Sequence, residues 1–201
     1  MKSTMEYRDK RFALVLVDIQ KKFSDATDGL RENTKAHLER VNEAIRLYRD
    51  TGNPIVYVMF DGDSHGQKVE DGDSLTEGLI GPVEGDRIVH KRGMNSFRDS
   101  DLAETIRDLG CTHMLIAGMV AQYCVLATYY GAFDMDLSPY MLEGGIVATD
   151  ERNAELVEEL CKTMSVGEMA ENSYFGGSGP RSNDPRSEGI IAVCPRMTIQ
   201  C

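Results

Sequence analysis

Three side chains of different chemistry follow three separate apolar runs of the sequence. Asp18 follows the first run, Lys91 a later one and Cys124 a third. A carboxylate, an ammonium and a thiol are the proton acceptor, the cation and the nucleophile that cysteine catalysis requires. Each alone has a structural explanation, because aspartates end strands, lysines face solvent and cysteines pack in cores. Their recurrence after three strands predicts one catalytic site.

The place of Cys124 in the chain favours ionisation of its thiol. The segment from Cys124 to Phe133 is rich in Ala, Leu and Tyr and is typical of a buried helix. Backbone N–H groups and the positive end of the helix dipole favour a thiolate at a helix start. We therefore expect Lys91 and the helix start to shift Cys124 toward the thiolate.

The elements that position these residues alternate along the chain. Short β-branched apolar runs indicate strands, and apolar residues at a spacing of about 3.6 indicate helices. The predicted strands are Phe12–Val17, Ile55–Phe60, Arg87–His90, His113–Ala117 and either Pro139–Leu142 or Ile146–Ala148. The predicted helices are Thr34–Arg49, Leu102–Leu109, Cys124–Phe133 and Asn153–Met164, the last with Asp150 as its N-cap.

This alternation predicts an α/β fold, a three-layer α/β/α sandwich with a mostly parallel, Rossmann-like central sheet. Ligands bind such sheets beyond the carboxyl ends of the strands. The three candidate residues are therefore predicted to meet at one edge of the sheet.

Composition limits the classes of function. The chain has 201 residues, and we expect a single domain over 1–201 with an extended segment from 173 to 201. The formal net charge of −11 argues against nucleic acid and against anionic membranes as partners. We expect no membrane span and no signal peptide, because apolar runs are short and the first ten residues are polar. Five irregularly spaced cysteines indicate reduced thiols in a cytoplasmic protein.

The sequence resembles the isochorismatase-like cysteine hydrolase superfamily, which includes nicotinamidases, N-carbamoylsarcosine amidases and isochorismatases. The resemblance extends from about Phe12 to Asp150. It rests on Val17–Gln20 with Phe23, Lys91 with Ser96–Phe97, Leu102–Gly110, and Gly118–Val125 followed by Ala127–Thr128. It implies an isochorismatase-like hydrolase fold with Asp18, Lys91 and Cys124 as the catalytic triad.

The resemblance also implies an activity and further site residues. The activity is cleavage of the C–N bond of a small amide or ureide through a cysteine thioester, with release of ammonia or an amine. A cis peptide bond between Met119 and Val120 is implied, with an oxyanion hole made by the backbone N–H groups of Val120 and Cys124. The predicted substrate-pocket residues are Gln20, Phe23, Phe97 and Tyr123.

The loop after the second predicted strand differs from that of the nicotinamidases, which hold a metal there with an Asp-x-His pair. Asp61 matches, but Asp63 stands at the next ligand position and His65 follows it. A solvated acidic turn explains this loop, so we predict no tightly bound metal and no cofactor. Lys22 stands where the superfamily often has an acidic residue, which leaves the substrate's identity open.

Three other functions compete with amide hydrolysis. An isochorismatase-type vinyl ether hydrolase needs a general acid more than a thiol, so Cys124 favours amide cleavage without excluding the ether. A dinucleotide-binding module is disfavoured, because the turn from Asp18 to Asp25 lacks glycine. A non-catalytic binding protein on the same fold is disfavoured by the complete triad.

Two segments predict association of the chain with itself. The segment from Asp61 to Asp86 carries Val69, Leu75, Leu79, Ile80 and Val83 without a clear element, and the tail adds Tyr174, Phe175 and Ile190–Val193. Exposed on a monomer, these residues would form large apolar patches. We therefore expect a homo-oligomer, a dimer or a tetramer. The alternative is that both segments fold back on their own domain.

Overall fold

The computed structural model describes residues 11–62 and 71–171. Its strands are β1 (Phe12–Val17), β2 (Ile55–Phe60), β3 (Arg87–Lys91), β4 (His113–Met119), β5 (Ser138–Val147) and β6 (Thr163–Met164). Its α-helices are α1 (Lys21–Ser24), α2 (Asp28–Asp50), α3 (Leu102–Asp108), α4 (Leu126–Asp134), α5 (Glu151–Leu160) and α6 (Val166–Glu171). One π-helical turn, Ala121–Val125, leads directly into α4.

The six strands form one parallel sheet in the order β3-β2-β1-β4-β5-β6. Alternate residues of β1 point to opposite faces. Val15 packs in the cluster that contains Ile106 of α3, and Leu16 packs in the cluster that contains Ile45 of α2. Helices therefore cover both faces, and the predicted three-layer α/β fold is confirmed.

The fifth strand contains both of the apolar runs that were predicted as alternatives. Ile116 pairs with Met141, but Gly118 pairs with Ile146, so β5 bulges between the two runs. Gly144 lies in this bulge with a φ of 67°. The alternation of apolar residues stops at the bulge, which is why the sequence indicates two strands instead of one.

The predicted helix Asn153–Met164 is too long at its C-terminal end. Helix α5 ends at Leu160, because Thr163 and Met164 form β6 and pair with Met141 and Leu142 of β5. At its start, the Asp150 side chain accepts a hydrogen bond from the Arg152 N–H at 3.0 Å, which confirms the predicted N-cap.

Much of the segment that precedes β3 packs on its own domain. Leu75, Leu79 and Ile80 pack against the cluster beneath α2. The Asn42 side chain fixes this segment, donating to the Gly78 carbonyl at 2.9 Å and accepting from the Ile80 N–H at 2.9 Å. The expectation that this segment lacks an apolar surface to cover it is therefore wrong for these three residues.

The remaining apolar residues of this segment and of the C-terminal tail are Val83 and residues outside the described ranges. Val83 is exposed. Val69, Tyr174, Phe175 and Ile190–Val193 lie outside the described residues. Within the described ranges, the helices lack the combination of length and apolar character that a membrane span requires.

Candidate active site

Asp18 is the first residue after β1 and is completely buried. Its backbone has a φ of 54°, which non-glycine residues rarely adopt. The Asp18 N–H donates to the Val58 carbonyl at 2.9 Å, which holds the turn against β2. Such a conformation in a non-glycine residue is typical of functional sites, because the surrounding structure has to maintain it.

Lys91 is the last residue of β3. Its side chain reaches Asp18, although β2 lies between β3 and β1 in the sheet. Its Nζ lies 2.7 Å from Oδ2 of Asp18, and both side chains are inaccessible to solvent. The Lys91 ammonium also donates to the Met94 carbonyl at 3.0 Å. This second bond closes the turn that follows β3 and fixes the direction of the lysine side chain.

Cys124 is brought to the Asp18–Lys91 pair by the close approach of β4 to β1. Gly118 pairs with Val17, and a Cβ atom at Gly118 would lie 2.0 Å from the Val17 carbonyl oxygen. Only glycine permits this approach, which places the residues beyond β4 beside Asp18. The Met119–Val120 peptide bond is cis.

The turn that carries Cys124 is π-helical. The Val120 carbonyl accepts hydrogen bonds from the N–H groups of Tyr123 at 2.9 Å and Val125 at 3.4 Å. The Cys124 N–H lies between these two donors at the start of the helical segment. π-Helical turns occur frequently at functional sites.

Burial favours the protonated form of the Cys124 thiol in the absence of substrate. Burial, followed by the charge of Asp18, raises the pKa of Cys124 to about 12, and Lys91 opposes this shift. Burial also raises the pKa of Asp18, against the lowering effect of Lys91 and of the Cys124 thiol. The sequence-based expectation that Cys124 is shifted toward the thiolate is therefore wrong. Desolvation of the thiol and the nearby Asp18 charge outweigh Lys91.

Cys124 opens onto a cavity of about 610 Å³. Volumes of this order are typical of small-molecule sites. The lining is mostly apolar, and it consists of Phe23, Ala26, Thr27, Leu30, Phe60, Arg92, Met94, Val120, Tyr123, Cys124 and Thr149. The rings of Phe23 and Phe60 meet edge to face with centroids 5.7 Å apart.

The four predicted pocket residues divide into two pairs. Phe23 and Tyr123 line the cavity. Phe97 does not; it is buried in the core cluster beneath α3 and α4. Gln20 does not either, because its side chain accepts from the Phe60 N–H at 2.8 Å and donates to the Phe60 carbonyl at 3.4 Å. The prediction that Phe97 and Gln20 line the pocket is therefore wrong. Phe97 packs in the core, and Gln20 binds the backbone of the lining residue Phe60.

Several lining residues were not predicted from the sequence. Phe60 is the last residue of β2, and Arg92 is the first after β3, so both stand at the carboxyl ends of strands. That rule, applied to every strand, would have found them. Thr149 lies just beyond β5, so the same rule covers it. Thr27 and Leu30 come from the start of α2, and no sequence signal marks them.

Lys22 is a second buried ammonium near the site. Its Nζ donates to the carbonyls of Phe60 at 2.6 Å and Gly62 at 2.9 Å, and it pairs with the Asp73 carboxylate. Asp61 is engaged by His90, whose Nδ1 lies 2.8 Å from Asp61 Oδ1. The Lys22 charge would repel a divalent cation at this end of β2.

Of the three candidate metal ligands that follow β2, Asp61 lies within the described residues. The described residues contain no group of three His, Cys, Asp or Glu side chains able to hold a metal ion. Asp63 and His65, the other candidates, lie outside the described residues.

Comparison with known proteins places this site in a family. The model of the isochorismatase domain matches residues 12–170. The chain belongs to the isochorismatase family. An isochorismatase family protein of Bacillus subtilis, YrdC, is 26% identical over 72% of this chain and 78% of its own length. As a member of this family, the chain is a hydrolase.

Solved structures share the fold. N-carbamoylsarcosine amidase from Thermoplasma acidophilum superposes with a TM-score of 0.65 at 21% identity, over 77% of this chain and 95% of that one. Pyrazinamidase of Pyrococcus horikoshii, solved in complex with zinc, superposes with a TM-score of 0.65 at 23% identity, over 77% of this chain and 99% of that one.

Proposed function

We propose that this isochorismatase-family hydrolase cleaves the C–N bond of a small amide or ureide through a thioester on Cys124. The observation that carries the proposal is the contact of the Cys124 thiol with the buried Asp18–Lys91 pair beside an apolar cavity. The amidase names of two proteins with this fold agree with such a substrate class.

In the first half of the reaction, Asp18 accepts the Sγ proton as Sγ attacks the substrate carbonyl. A base is needed here because the raised pKa of Cys124 keeps the thiol protonated at neutral pH. The N–H groups of Val120 and Cys124 bind the developing oxyanion, and each such donor contributes about 3–4 kcal/mol in comparable sites. Asp18 then passes its proton to the leaving nitrogen, and the C–N bond breaks to leave the thioester.

In the second half, water replaces the amine. Asp18 accepts a proton from the water as its oxygen attacks the thioester carbonyl, and that proton returns to Sγ when the C–S bond breaks. Lys91 stays charged throughout and holds Asp18 in position. The products are a carboxylic or carbamic acid and the free thiol.

The experiment is a panel of primary amides and ureides assayed for ammonia release, run beside isochorismate cleavage. Cys124→Ala should abolish ammonia release with an unchanged circular dichroism spectrum. Cys161→Ala is the matched control, because Cys161 is half-buried and does not line the cavity. Ammonia release that survives Cys124→Ala would contradict the proposal.

The alternative is a vinyl ether hydrolase, which the family's own name suggests. In that reaction Asp18 would act as a general acid and the thiol would be dispensable. Isochorismate cleavage that persists in Cys124→Ala, without ammonia release from any amide, would favour this alternative.

We also propose that the protein is a cytoplasmic homo-oligomer, a dimer or a tetramer, without nucleic-acid or membrane partners. The buried and half-buried free thiols of Cys111, Cys124 and Cys161 are consistent with a reducing compartment. The triad residues Asp18 and Lys91 come from one chain, so an oligomer is not needed to assemble them.

A further inference from the structure

Arg92 is the one formally charged side chain among the described residues that line the cavity. It follows Lys91 at the end of β3 and is exposed to solvent. The bond from Lys91 Nζ to the Met94 carbonyl closes the turn around Arg92. The backbone that carries the arginine is therefore anchored to the catalytic lysine.

Most of the ionisable groups beside the cavity are paired with one another. Asp18 and Lys91 form an ion pair at 2.7 Å, and burial keeps the Cys124 thiol neutral. The Lys22 ammonium is matched by the Asp73 carboxylate. Arg92 is thus the one formal charge in the described cavity lining, and the nearby Asp61 carboxylate is engaged by His90.

The lack of a carboxylate partner distinguishes Arg92 from many other arginines of the chain. Six arginines pair with Asp or Glu side chains: Arg31, Arg40, Arg46, Arg49, Arg98 and Arg152. Arg92 forms no such pair with a residue in the part of the chain that the structure describes. Among the described residues, no carboxylate therefore competes with a ligand for the Arg92 guanidinium.

We infer that the substrate carries one carboxylate, which Arg92 binds, and an apolar body, which lies between that carboxylate and the scissile bond. This inference rests on the proposed function, because it takes the Cys124 cavity as the substrate site. A guanidinium donates two parallel N–H bonds to a planar carboxylate. A single arginine neutralises a single negative charge, which favours a monoanion over a phosphate dianion. Phe23, Leu30 and Phe60 supply the apolar surface for the rest of the molecule.

Binding is tested separately from turnover, in the Cys124→Ala background. Calorimetry compares phenylacetate with phenylacetamide, which have similar shape and differ in charge. We expect phenylacetate to bind more tightly. Arg92→Gln should weaken phenylacetate binding by roughly 10- to 100-fold and leave phenylacetamide unchanged. Arg98→Gln is the matched control, since Arg98 is also exposed but pairs with Asp99 and does not line the cavity.

Turnover is tested with the Cys124 enzyme on 4-carbamoylphenylacetate, in which the ring separates the carboxylate from the amide, and on its methyl ester. Arg92→Gln should raise KM for the carboxylate by a similar factor, with kcat and the ester almost unaffected. Arg92→Lys should recover part of the loss, because it restores charge without the bidentate geometry.

The outcomes separate this inference from the proposed function. Undetectable phenylacetate binding, or an affinity that Arg92→Gln leaves unchanged, overturns the role of Arg92 even if amides are hydrolysed. Arginine-dependent phenylacetate binding supports the inference even if no amide or ureide is hydrolysed, and in that case the proposed chemistry fails alone.

Discussion

Asp18 opposes the ionisation of Cys124 although it is the group proposed to receive the thiol proton. Its charge is the second cause of the raised thiol pKa, after burial, while Lys91 acts in the opposite direction. The same carboxylate is proposed to protonate the leaving nitrogen. Formation of the thiolate and departure of the amine therefore depend on Asp18 in different ways, and one substitution separates them.

Asp18→Asn should lower the pKa of Cys124 below about 12, because it removes a negative charge and leaves Lys91 to pair with the thiolate. Alkylation of Cys124 by iodoacetamide at pH 7 should then become faster. Ammonia release should fall by roughly 10²- to 10⁴-fold, because the general acid is lost. Both rates are measured on the same preparation, with Cys161 labelling as internal reference. A parallel fall in both rates would contradict these roles.

Lys91→Met should cost stability in a pH-dependent way. The variant leaves the Asp18 carboxylate buried without its ammonium, at a cost of about 3–5 kcal/mol at neutral pH. The pKa of Asp18 is already raised by burial, and loss of Lys91 raises it further. A raised carboxyl pKa stabilises the fold below the unfolded value and loses that effect as pH rises through the folded value. Urea unfolding at pH 5 and pH 8 should therefore show the larger deficit at pH 8. Equal losses of unfolding free energy at the two pH values would show that Lys91 does not compensate the buried charge of Asp18.

The proximity of the three residues proposed as the triad could be predicted from the sequence, because strand ends are visible as the ends of apolar runs. The thiol pKa could not, because it depends on burial and on how far Lys91 reaches. Phe97 and Gln20 were misplaced for a related reason. Each stands near a strand end, but packing directs one ring into the core and binds one amide to the backbone of Phe60. Position along the chain does not determine the direction of a side chain.

Lys22 connects elements that the sheet alone does not hold together. Lys22 lies in α1, close to the end of β1. Its Nζ binds the carbonyls of Phe60 and Gly62 at the end of β2 and the carboxylate of Asp73. The Asp73 side chain is 88% exposed, so water screens that ion pair. The hydrogen bonds to the Phe60 and Gly62 carbonyls therefore carry most of the stabilisation.

Lys22→Met should lower the free energy of unfolding by about 1.5–3 kcal/mol, the usual contribution of hydrogen bonds to a buried charge. The same substitution should also speed proteolysis within residues 71–86, because Lys22 binds Asp73 in this segment. Urea unfolding measures the first effect, and limited digestion with a glutamyl endopeptidase, which cleaves after Glu77 and Glu84, measures the second. Lys35→Met is the control, because Lys35 is exposed on α2. A stability equal to that of the control would contradict this role of Lys22.

The alternation of apolar runs was sufficient to predict five of the six strands and the layers around them. Helices α1 and α6 were missed, because each has at most six residues and shows no periodicity. Strand β6 was missed because its two residues are paired by β5, a contact between distant parts of the chain. Local patterns thus identified the elements that are long enough to show a periodic spacing of apolar residues. They failed where contacts between distant residues create the element.

The whole molecule presents apolar surface at α4. Tyr130 is 54% exposed and Phe133 is 47% exposed, and Tyr123 at the cavity is 54% exposed. This surface supports the proposed homo-oligomer better than Leu75, Leu79 and Ile80 do, since those three residues pack on their own domain.

Light scattering at micromolar concentration should give a multiple of 22.3 kDa. Phe133→Lys should reduce the measured mass, because a charge in an apolar interface is left without a partner. Glu104→Lys, an exposed change on α3, is the control. A wild-type mass near 22.3 kDa would exclude the oligomer.

The raised pKa of Cys124 has a consequence for the life of the protein under oxidative stress. Peroxide attacks thiolates, so a thiol with a pKa of about 12 is oxidised slowly to sulfenic acid at neutral pH. In the proposed mechanism Asp18 accepts the thiol proton as Sγ attacks the substrate carbonyl, so the sulfur becomes strongly nucleophilic only during turnover. The proposed use of Cys124 as nucleophile is in this way compatible with exposure of the resting protein to peroxide.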